Sequence, residues 1–275
     1  MYDCLVLSAG GTYGAAYVGA IKALEARGVM RRVRRVHGTS AGAIVATMAA
    51  AGIDGSRMEA IMADFCAAPR PKPDFRRLRR DFGCADAGAF LDAALDAFLP
   101  PDATFATLAR HSGVNLSVHA YSVSERKVVD FGLDATPDQA VREAVAASCC
   151  VPFVFAPVRI GGARYVDGAV AQRTPMHMIV DPSGTLVLDV RDSARGEPPD
   201  VVSYLGALMS ATSRYIGPFS GDFVTIEVPP GPATLPHLSP PLDALAPVVA
   251  AGFEAVEAAC AARALRLSSR RASRR

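Results

Sequence analysis

Residues 33–42 read VRRVHGTSAG and decide the fold. A short strand candidate ends before Gly38, a turn carries Ser40 to Gly42, and a helix candidate rich in small residues follows. Glycines flank the serine of such an elbow because side chains there would collide with the neighbouring strand and helix. The motif alone is weak evidence, since Gly and Ser at about 7% usage each produce it by chance in roughly one chain in ten of this length. Its setting makes Ser40 a candidate nucleophile and leaves an ordinary serine turn as the alternative.

A second strand–turn–helix precedes the first one in the chain. Residues 4–8 form an apolar run, residues 9–14 read AGGTYG, and residues 15–27 carry apolar side chains at helical spacing. Glycines in such a turn let backbone N–H groups point at an anion, and the following helix adds the positive end of its dipole. The loop can hold a phosphate, hold the oxyanion of an acyl transfer, or be a structural turn. We favour the oxyanion interpretation, because no nucleotide-binding motif follows and parallel strands would bring both turns to one edge of a sheet.

The repetition of strand, glycine turn and helix predicts a parallel α/β layer. Further strands are predicted over residues 114–123, 127–131, 163–166, 186–190 and 223–228, and further helices over residues 56–66 and 87–99 and from about residue 247. No repeat of fixed period and no long linker divides the chain. We therefore predict one domain over residues 1–267, followed by a basic, disordered tail over residues 268–275.

The composition excludes several classes of protein. The chain has 275 residues, of which 51% are hydrophobic, and this supplies a sizeable core. Its 29 basic and 27 acidic side chains are nearly balanced, which argues against a nucleic-acid partner. We expect no leader and no membrane-spanning segment, since the most apolar region, residues 44–53, is too short to span. The six cysteines show no CxxC spacing, so we expect reduced thiols in a cytoplasmic protein without a metal.

Three motifs in this order resemble those of the patatin-like phospholipases. They are SAGGTYG at residues 8–14, GTSAGA at residues 38–43, and ASCCVP at residues 147–152, which continues to YVDGA at residues 165–169. The resemblance covers roughly residues 4–175. It implies a patatin-like three-layer α/β fold, with a mainly parallel central sheet flanked by helices. It also implies hydrolysis of fatty acyl esters in phospholipid or lysophospholipid substrates, with no cofactor.

The resemblance also assigns roles by position. It makes Ser40 the nucleophile and Asp167 the base that takes its proton, in a dyad that needs no histidine. The backbone N–H groups of Gly10, Gly11 and Thr12 would form the oxyanion hole. A free aspartate has a pKa of about 3.9 and is a weak base toward an alcohol. The site must therefore desolvate the Asp167 carboxylate and hold it at the serine hydroxyl.

Two alternatives remain open at this point. Ser40, Asp167 and either His177 or His237 follow the chain order of an α/β-hydrolase triad, which would act on soluble esters. Against it, the elbow of that fold normally comes after several more strands. The second alternative is a lipid-binding relative without turnover. It arises because Tyr13, inside the glycine loop, stands where the patatin-like family usually has a basic residue.

A basic stretch with interleaved apolar side chains lies in the middle of the chain. Its members are Arg70, Lys72, Phe75, Arg76, Arg77, Leu78, Arg79, Arg80 and Phe82. Such runs are usually solvated faces. The functional alternative is transient docking on an anionic membrane surface, which an enzyme that attacks aggregated lipid needs.

Overall fold

The computed structural model describes residues 2–68, 72–192, 197, 201–212, 219–229 and 242–272. The main sheet contains β1 (Cys4–Leu7), β2 (Arg35–Thr39), β4 (Asn115–Ser122), β5 (Lys127–Gly132), β7 (Val158–Ile160), β8 (Ala163–Asp167), β9 (Thr185–Asp192) and β10 (Asp222–Val228). Strands β3 (Gly83–Ala85) and β6 (Phe153–Phe155) pair with each other in a separate small sheet. The flanking helices are α1 (Ala16–Ala26), α2 (Ala41–Ala50), α3 (Gly55–Ala67), α4 (Leu78–Asp81), α5 (Ala87–Asp96), α6 (Phe105–Ser112), α7 (Val141–Ser148), α8 (Val201–Thr212) and α9 (Leu242–Ala272).

Polar side chains set the starts of several of these helices. Asp54 accepts a hydrogen bond from a backbone N–H in the first turn of α3, and Asp86 does the same for α5. Thr104 forms a reciprocal capping box at the start of α6. Each cap satisfies a backbone N–H that has no partner within the helix, typically worth about 1 kcal/mol.

The strands β10, β9, β1, β2 and β4 lie side by side in that order and are all parallel. The three strands beyond them are antiparallel to their neighbours: β5 and β8 both pair with β4, and β7 pairs with β8. The predicted α/β fold, with a mainly parallel central sheet flanked by helices, is confirmed.

Strand β4 is where the parallel and antiparallel parts of the sheet meet. One of its edges pairs with β5 over residues 117–122. The other edge is shared, because β2 pairs in parallel with residues 115–119 and β8 pairs in the antiparallel sense with residues 120–122. Strands β2 and β8 therefore run toward each other along one edge of β4, and their carboxyl ends meet there.

The apolar core follows the two-residue alternation of the strands. Leu5 and Leu7 of β1 belong to the large core, which α1, α2 and α9 also form. Cys4 and Val6 point to the opposite face, where they join Val187 in a smaller apolar cluster. The sheet is thus covered on both faces, as expected of parallel strands.

Helix α9 lies directly against α1. A Cβ atom on Gly252 would overlap the carbonyl oxygen of Ala16, and one on Gly19 would overlap that of Val249, so both glycines are required for the close approach. Within α9, Leu242–Arg263 is long and apolar enough, at a mean hydropathy of 1.5, to cross a membrane by length and composition alone. This differs from the expectation that no segment of the chain could span. The core helix of a globular domain can have the same length and composition, and the contact of α9 with α1 is typical of such a helix.

Most predicted elements are present, but several ends differ. Strand β2 continues to Thr39 instead of ending near residue 37, so Ser40 follows the strand directly. Helix α9 begins at Leu242 and extends to Ala272. Residues 268–272 are therefore helical where a disordered tail was predicted, and residues 273–275 lie outside the described part. Ala, Leu and Arg, which are strong helix formers, dominate the end of α9. The short strands β3, β6 and β7 and the helices α4, α6, α7 and α8 were not predicted.

Candidate active site

Ser40 lies on the sharp turn between β2 and α2. Its backbone angles are φ 54° and ψ −128°, a region that costs a non-glycine residue about 1–3 kcal/mol. A Cβ atom on Gly38 would lie 2.6 Å from the Gly42 carbonyl oxygen, and one on Gly42 would overlap the last carbonyl groups of β1. The predicted glycines are therefore needed for packing, and the serine carries the strain of the turn.

A second serine holds this turn in place. The Ser40 backbone N–H donates to the Ser148 hydroxyl oxygen at 2.8 Å, and the Ser148 hydroxyl donates to the His119 carbonyl oxygen at 2.6 Å. Ser148 is the last residue of α7, and His119 belongs to β4. The pair of bonds ties the elbow to the neighbouring strand. From the sequence, Ser148 could be assigned to a family motif, but its contact with Ser40 could not be predicted.

Asp167 is the last residue of β8 and is only 1% exposed. Its carboxylate accepts a hydrogen bond from the Ala169 backbone N–H at 2.9 Å and lies beside the Ser40 side chain. The strand register explains this contact. Thr39 of β2 pairs with His119 of β4, and Asp167 pairs with the next residue on the same edge, Ala120. The sheet therefore brings the two predicted dyad residues together.

The surroundings of Asp167 change its acidity. Burial raises the pKa of Asp167 to about 6, although the hydrogen bonds from Ser40 and Ala169 act in the opposite direction. The carboxylate is thus a stronger base than a free aspartate, whose pKa is about 3.9. It is still mainly ionised at neutral pH and can accept a proton there.

The glycine loop lies beside the first turn of α2. A Cβ atom on Gly14 would be 2.5 Å from the Cβ atom of Ala41, next to the elbow. Gly11 has φ 53°, which favours glycine at this position. Among the hydrogen bonds of the described residues, the N–H groups of Gly10, Gly11 and Thr12 have no protein acceptor. These N–H groups are the three predicted oxyanion donors.

Of the two histidines considered for a triad, the structure describes only His177. Both ring nitrogens of His177 have other partners: Nδ1 lies 2.8 Å from Gln172 Oε1, and Nε2 lies 2.7 Å from Asp130 Oδ2. His237 lies outside the described residues. His119, which alternation placed on the polar face of its strand, is fully buried.

The basic stretch exposes its apolar side chains. Phe75 is 66% exposed and Phe82 is 51% exposed, and Leu78 is also at the surface. Strand pairing adds a member that the sequence did not suggest, because Gly83 of β3 pairs with Phe153 of β6, which is 58% exposed. We call the surface formed by Phe75, Leu78, Phe82 and Phe153 the aromatic surface.

The arginines of this stretch carry less free charge than the sequence suggested. Arg76 pairs with Asp74, and both Arg77 and Arg80 pair with Asp81. The guanidinium group of Arg164 lies 5.5 Å from the centre of the Phe82 ring. Arg70 lies outside the described residues.

Comparison with known sequences gives the family. The family model of patatin-like phospholipases matches residues 5–180. The uncharacterized protein R571 of Acanthamoeba polyphaga mimivirus is 26% identical over 186 residues, which make up 64% of this chain and 61% of that protein. The chain thus spans less than two thirds of the length of this relative.

Comparison with solved structures gives the fold. VipD from Legionella pneumophila has a TM-score of 0.62 at 18% identity, over 94% of this chain and 66% of VipD. A chain of the ExoU–SpcU complex of Pseudomonas aeruginosa has a TM-score of 0.52 at 21% identity, over 95% of this chain and 52% of its own length. Human GIVD cytosolic phospholipase A2 has a TM-score of 0.53 at 11% identity, over 94% of this chain and 60% of the phospholipase chain. The family model covers more than half of the chain, and the chain therefore belongs to the patatin-like phospholipase family.

Proposed function

We propose that this protein is a serine lipid acyl hydrolase that cleaves fatty acyl esters of phospholipids or lysophospholipids through Ser40 and Asp167. Membership of the patatin-like phospholipase family supports lipid hydrolysis. The observation that carries the finer assignment is that the strained Ser40 lies beside the buried Asp167 carboxylate. Strain and burial of this kind are costly and collect at functional sites.

In the proposed first half-reaction, the Ser40 oxygen attacks the ester carbonyl carbon while Asp167 accepts the hydroxyl proton. The carbonyl oxygen becomes an oxyanion and receives hydrogen bonds from the N–H groups of Gly10, Gly11 and Thr12. Collapse of this intermediate breaks the ester bond. The departing alcohol takes the proton from Asp167 and leaves the acyl group on Ser40.

In the second half-reaction, a water molecule attacks the acyl carbon and gives its proton to Asp167. The tetrahedral intermediate then collapses, the fatty acid leaves, and the proton returns to the Ser40 oxygen. The same carboxylate acts as base and then as acid in each half, so no histidine is needed. The hydrogen bonds of His177 to Asp130 and Gln172 support this version over a triad through His177.

We further propose that the aromatic surface contacts the lipid aggregate, while the protein is otherwise cytoplasmic. Large apolar side chains grouped at the surface of a protein mark interaction sites. Phe153 lies in the segment that follows Ser148, so the aromatic surface is connected through a few residues to the serine that holds the elbow. Contact there would place the elbow close to the membrane that supplies the substrate.

The experiment that tests the proposed function compares three substrates at equal ester concentration: phospholipid vesicles, lysophospholipid micelles and a soluble short-chain ester. We expect fatty acid release from the lipid substrates by the wild-type protein. We also expect release by the Ser56→Ala control, which changes an exposed serine on α3, and none by Ser40→Ala. Turnover of the soluble ester alone would favour the soluble esterase. Binding to vesicles without any turnover would favour the inactive relative.

A further inference from the structure

Three side chains from separate elements form a cluster beside the dyad. His119 of β4 places Nδ1 2.8 Å from Asp130 Oδ1, and His177 places Nε2 2.7 Å from Asp130 Oδ2. One nitrogen or oxygen atom of each residue lies within 4.8 Å of the others. Because the residues are far apart in the chain, the spacing of histidines in the sequence did not reveal the cluster.

The two oxygen partners of His177 favour a positive charge at this cluster. Its Nδ1 faces the side-chain oxygen of Gln172, and its Nε2 faces the carboxylate of Asp130. A neutral imidazole carries one N–H and can donate in only one of these directions. With Gln172 oriented as in the structure, the second nitrogen would point a lone pair at an oxygen. A cation between the ring and the carboxylate removes this repulsion.

We propose that His119, Asp130 and His177 bind a divalent transition-metal ion of the zinc class. Two imidazole nitrogens and one carboxylate oxygen form a donor set that such ions prefer and that leaves a coordination position for water. Metal-binding histidines usually donate their second nitrogen to an oxygen acceptor, as His177 does to Gln172. His119 is fully buried and fixes the inner side of the site, while His177 is accessible from solvent.

Buried polar atoms on the same face of the sheet support this proposal. His37 Nδ1, Thr39 Oγ1 and His119 Nε2 are buried and have no hydrogen-bond partner among the described residues. Alternation and the pairing of Thr39 with His119 place all three side chains on one face. Unpaired buried polar atoms are rare in native proteins and mark places for bound water or ions.

The position of the cluster suggests a structural role for the ion. The His119 carbonyl accepts the hydrogen bond of Ser148, which in turn holds the Ser40 N–H. His177 lies on the segment that follows Asp167. An ion held by His119 and His177 would therefore fasten the segment of the base to the strand that supports the nucleophile. The ion takes no part in the acyl transfer proposed above.

The test uses untagged protein stripped of metal with a chelator, titrated with Zn²⁺ in competition with a chromophoric chelator. We expect one ion per chain. Asp130→Asn and His177→Ala should each weaken binding at least about 100-fold, and Gln172→Ala about 10- to 100-fold. His111→Ala is the matched control, because His111 is an exposed histidine on α6 and should leave binding unchanged.

Two further measurements separate this site from metal binding elsewhere in the chain. Co²⁺ bound here should absorb as a nitrogen- and oxygen-ligated ion without thiolate charge transfer, whereas binding by the free cysteines would show that band. Zn²⁺ should raise the unfolding temperature of the wild type and of His111→Ala, but not that of Asp130→Asn. Zn²⁺ binding that is unchanged in both Asp130→Asn and His177→Ala would overturn the proposal. The proposal would also be overturned if NMR showed two N–H protons on the metal-free His177 ring and the protein bound no zinc. Metal binding is read without substrate, so its failure leaves the proposed hydrolysis untouched.

Discussion

The dyad and the aromatic surface are built in opposite ways. Ser40 and Asp167 are buried, lie beside each other and are positioned by strands that meet at one edge of β4. Phe75, Phe82 and Phe153 are more than half exposed. Under the proposed function, chemistry and lipid contact are carried by separate parts of the molecule. Substitutions in the dyad should therefore affect every ester, and substitutions on the aromatic surface only esters in lipid aggregates.

The largest effect is expected for Ser40→Ala, which removes only the nucleophilic oxygen. Turnover should fall about 10⁴-fold or more on vesicles and on a soluble ester alike. The measurement is fatty acid release by purified protein whose circular dichroism matches that of the wild type. A loss on vesicles with normal turnover of the soluble ester would place the chemistry elsewhere.

Asp167→Asn should lower turnover by about 10²- to 10⁴-fold on both substrates, because the amide has nearly the same shape but cannot accept the proton. Asp189→Asn serves as a control for removing a buried carboxylate, since Asp189 pairs with Arg173 and Arg191. Turnover that falls equally in both variants would indicate a general folding defect instead of a lost base.

The pH dependence of kcat/KM should show one ascending limb with a midpoint near pH 6, because burial raises the pKa of Asp167 to about 6 and the base must be ionised. Below this point the rate should fall about tenfold per pH unit. The limb should persist in His177→Ala and in His237→Ala, with turnover within a few-fold of the wild type. A folded His237→Ala protein without turnover would favour the triad.

The same burial makes Asp167 costly for folding. Its pKa is raised from 3.8 to about 6, so ionisation of this group opposes the folded state. The loss of stability begins as the pH rises above about 4 and is complete above about 6, and it amounts to ~3 kcal/mol. Asp167→Asn should therefore be more stable than the wild type at pH 8 and equally stable at pH 4, in urea unfolding. Lower stability of the variant at pH 8 would contradict this account.

The smallest effects are expected on the aromatic surface. Phe82→Ser with Phe153→Ser should reduce vesicle binding and leave soluble-ester turnover unchanged, while Phe253→Ser on α9 is the control for an exposed phenylalanine.

Replacing Arg76, Arg77, Arg79 and Arg80 by glutamine should weaken binding to anionic vesicles at low salt. Because Asp74 and Asp81 pair with three of these arginines, the substitutions change the net charge of the stretch from about +2 to about −2, and the loss should be at most roughly 4 kcal/mol at about 1 kcal/mol for each charge. Unchanged vesicle binding in both variants would make this a solvated surface.

The two regions also differ in how much of them the sequence predicts. The elbow was predictable because backbone contacts at Gly38 and Gly42 exclude any side chain, and this leaves a fixed pattern of residue types. Three of the four residues of the aromatic surface could be found from the sequence, but Phe153 joins it only through the pairing of β3 with β6. Likewise, alternation assigned His119 to one face of its strand but could not show what covers that face. Contacts between distant segments are set by tertiary packing, which local patterns do not record.

The identity of the nucleophile is tested most directly by labelling the folded protein with a fluorophosphonate probe and mapping the modified residue by mass spectrometry. The probe reacts with serines that are activated by a base beside an oxyanion hole. The account predicts one adduct per chain, located on Ser40, and much slower labelling of Asp167→Asn. An adduct on another residue, or no adduct on protein that hydrolyses lipid esters, would contradict it.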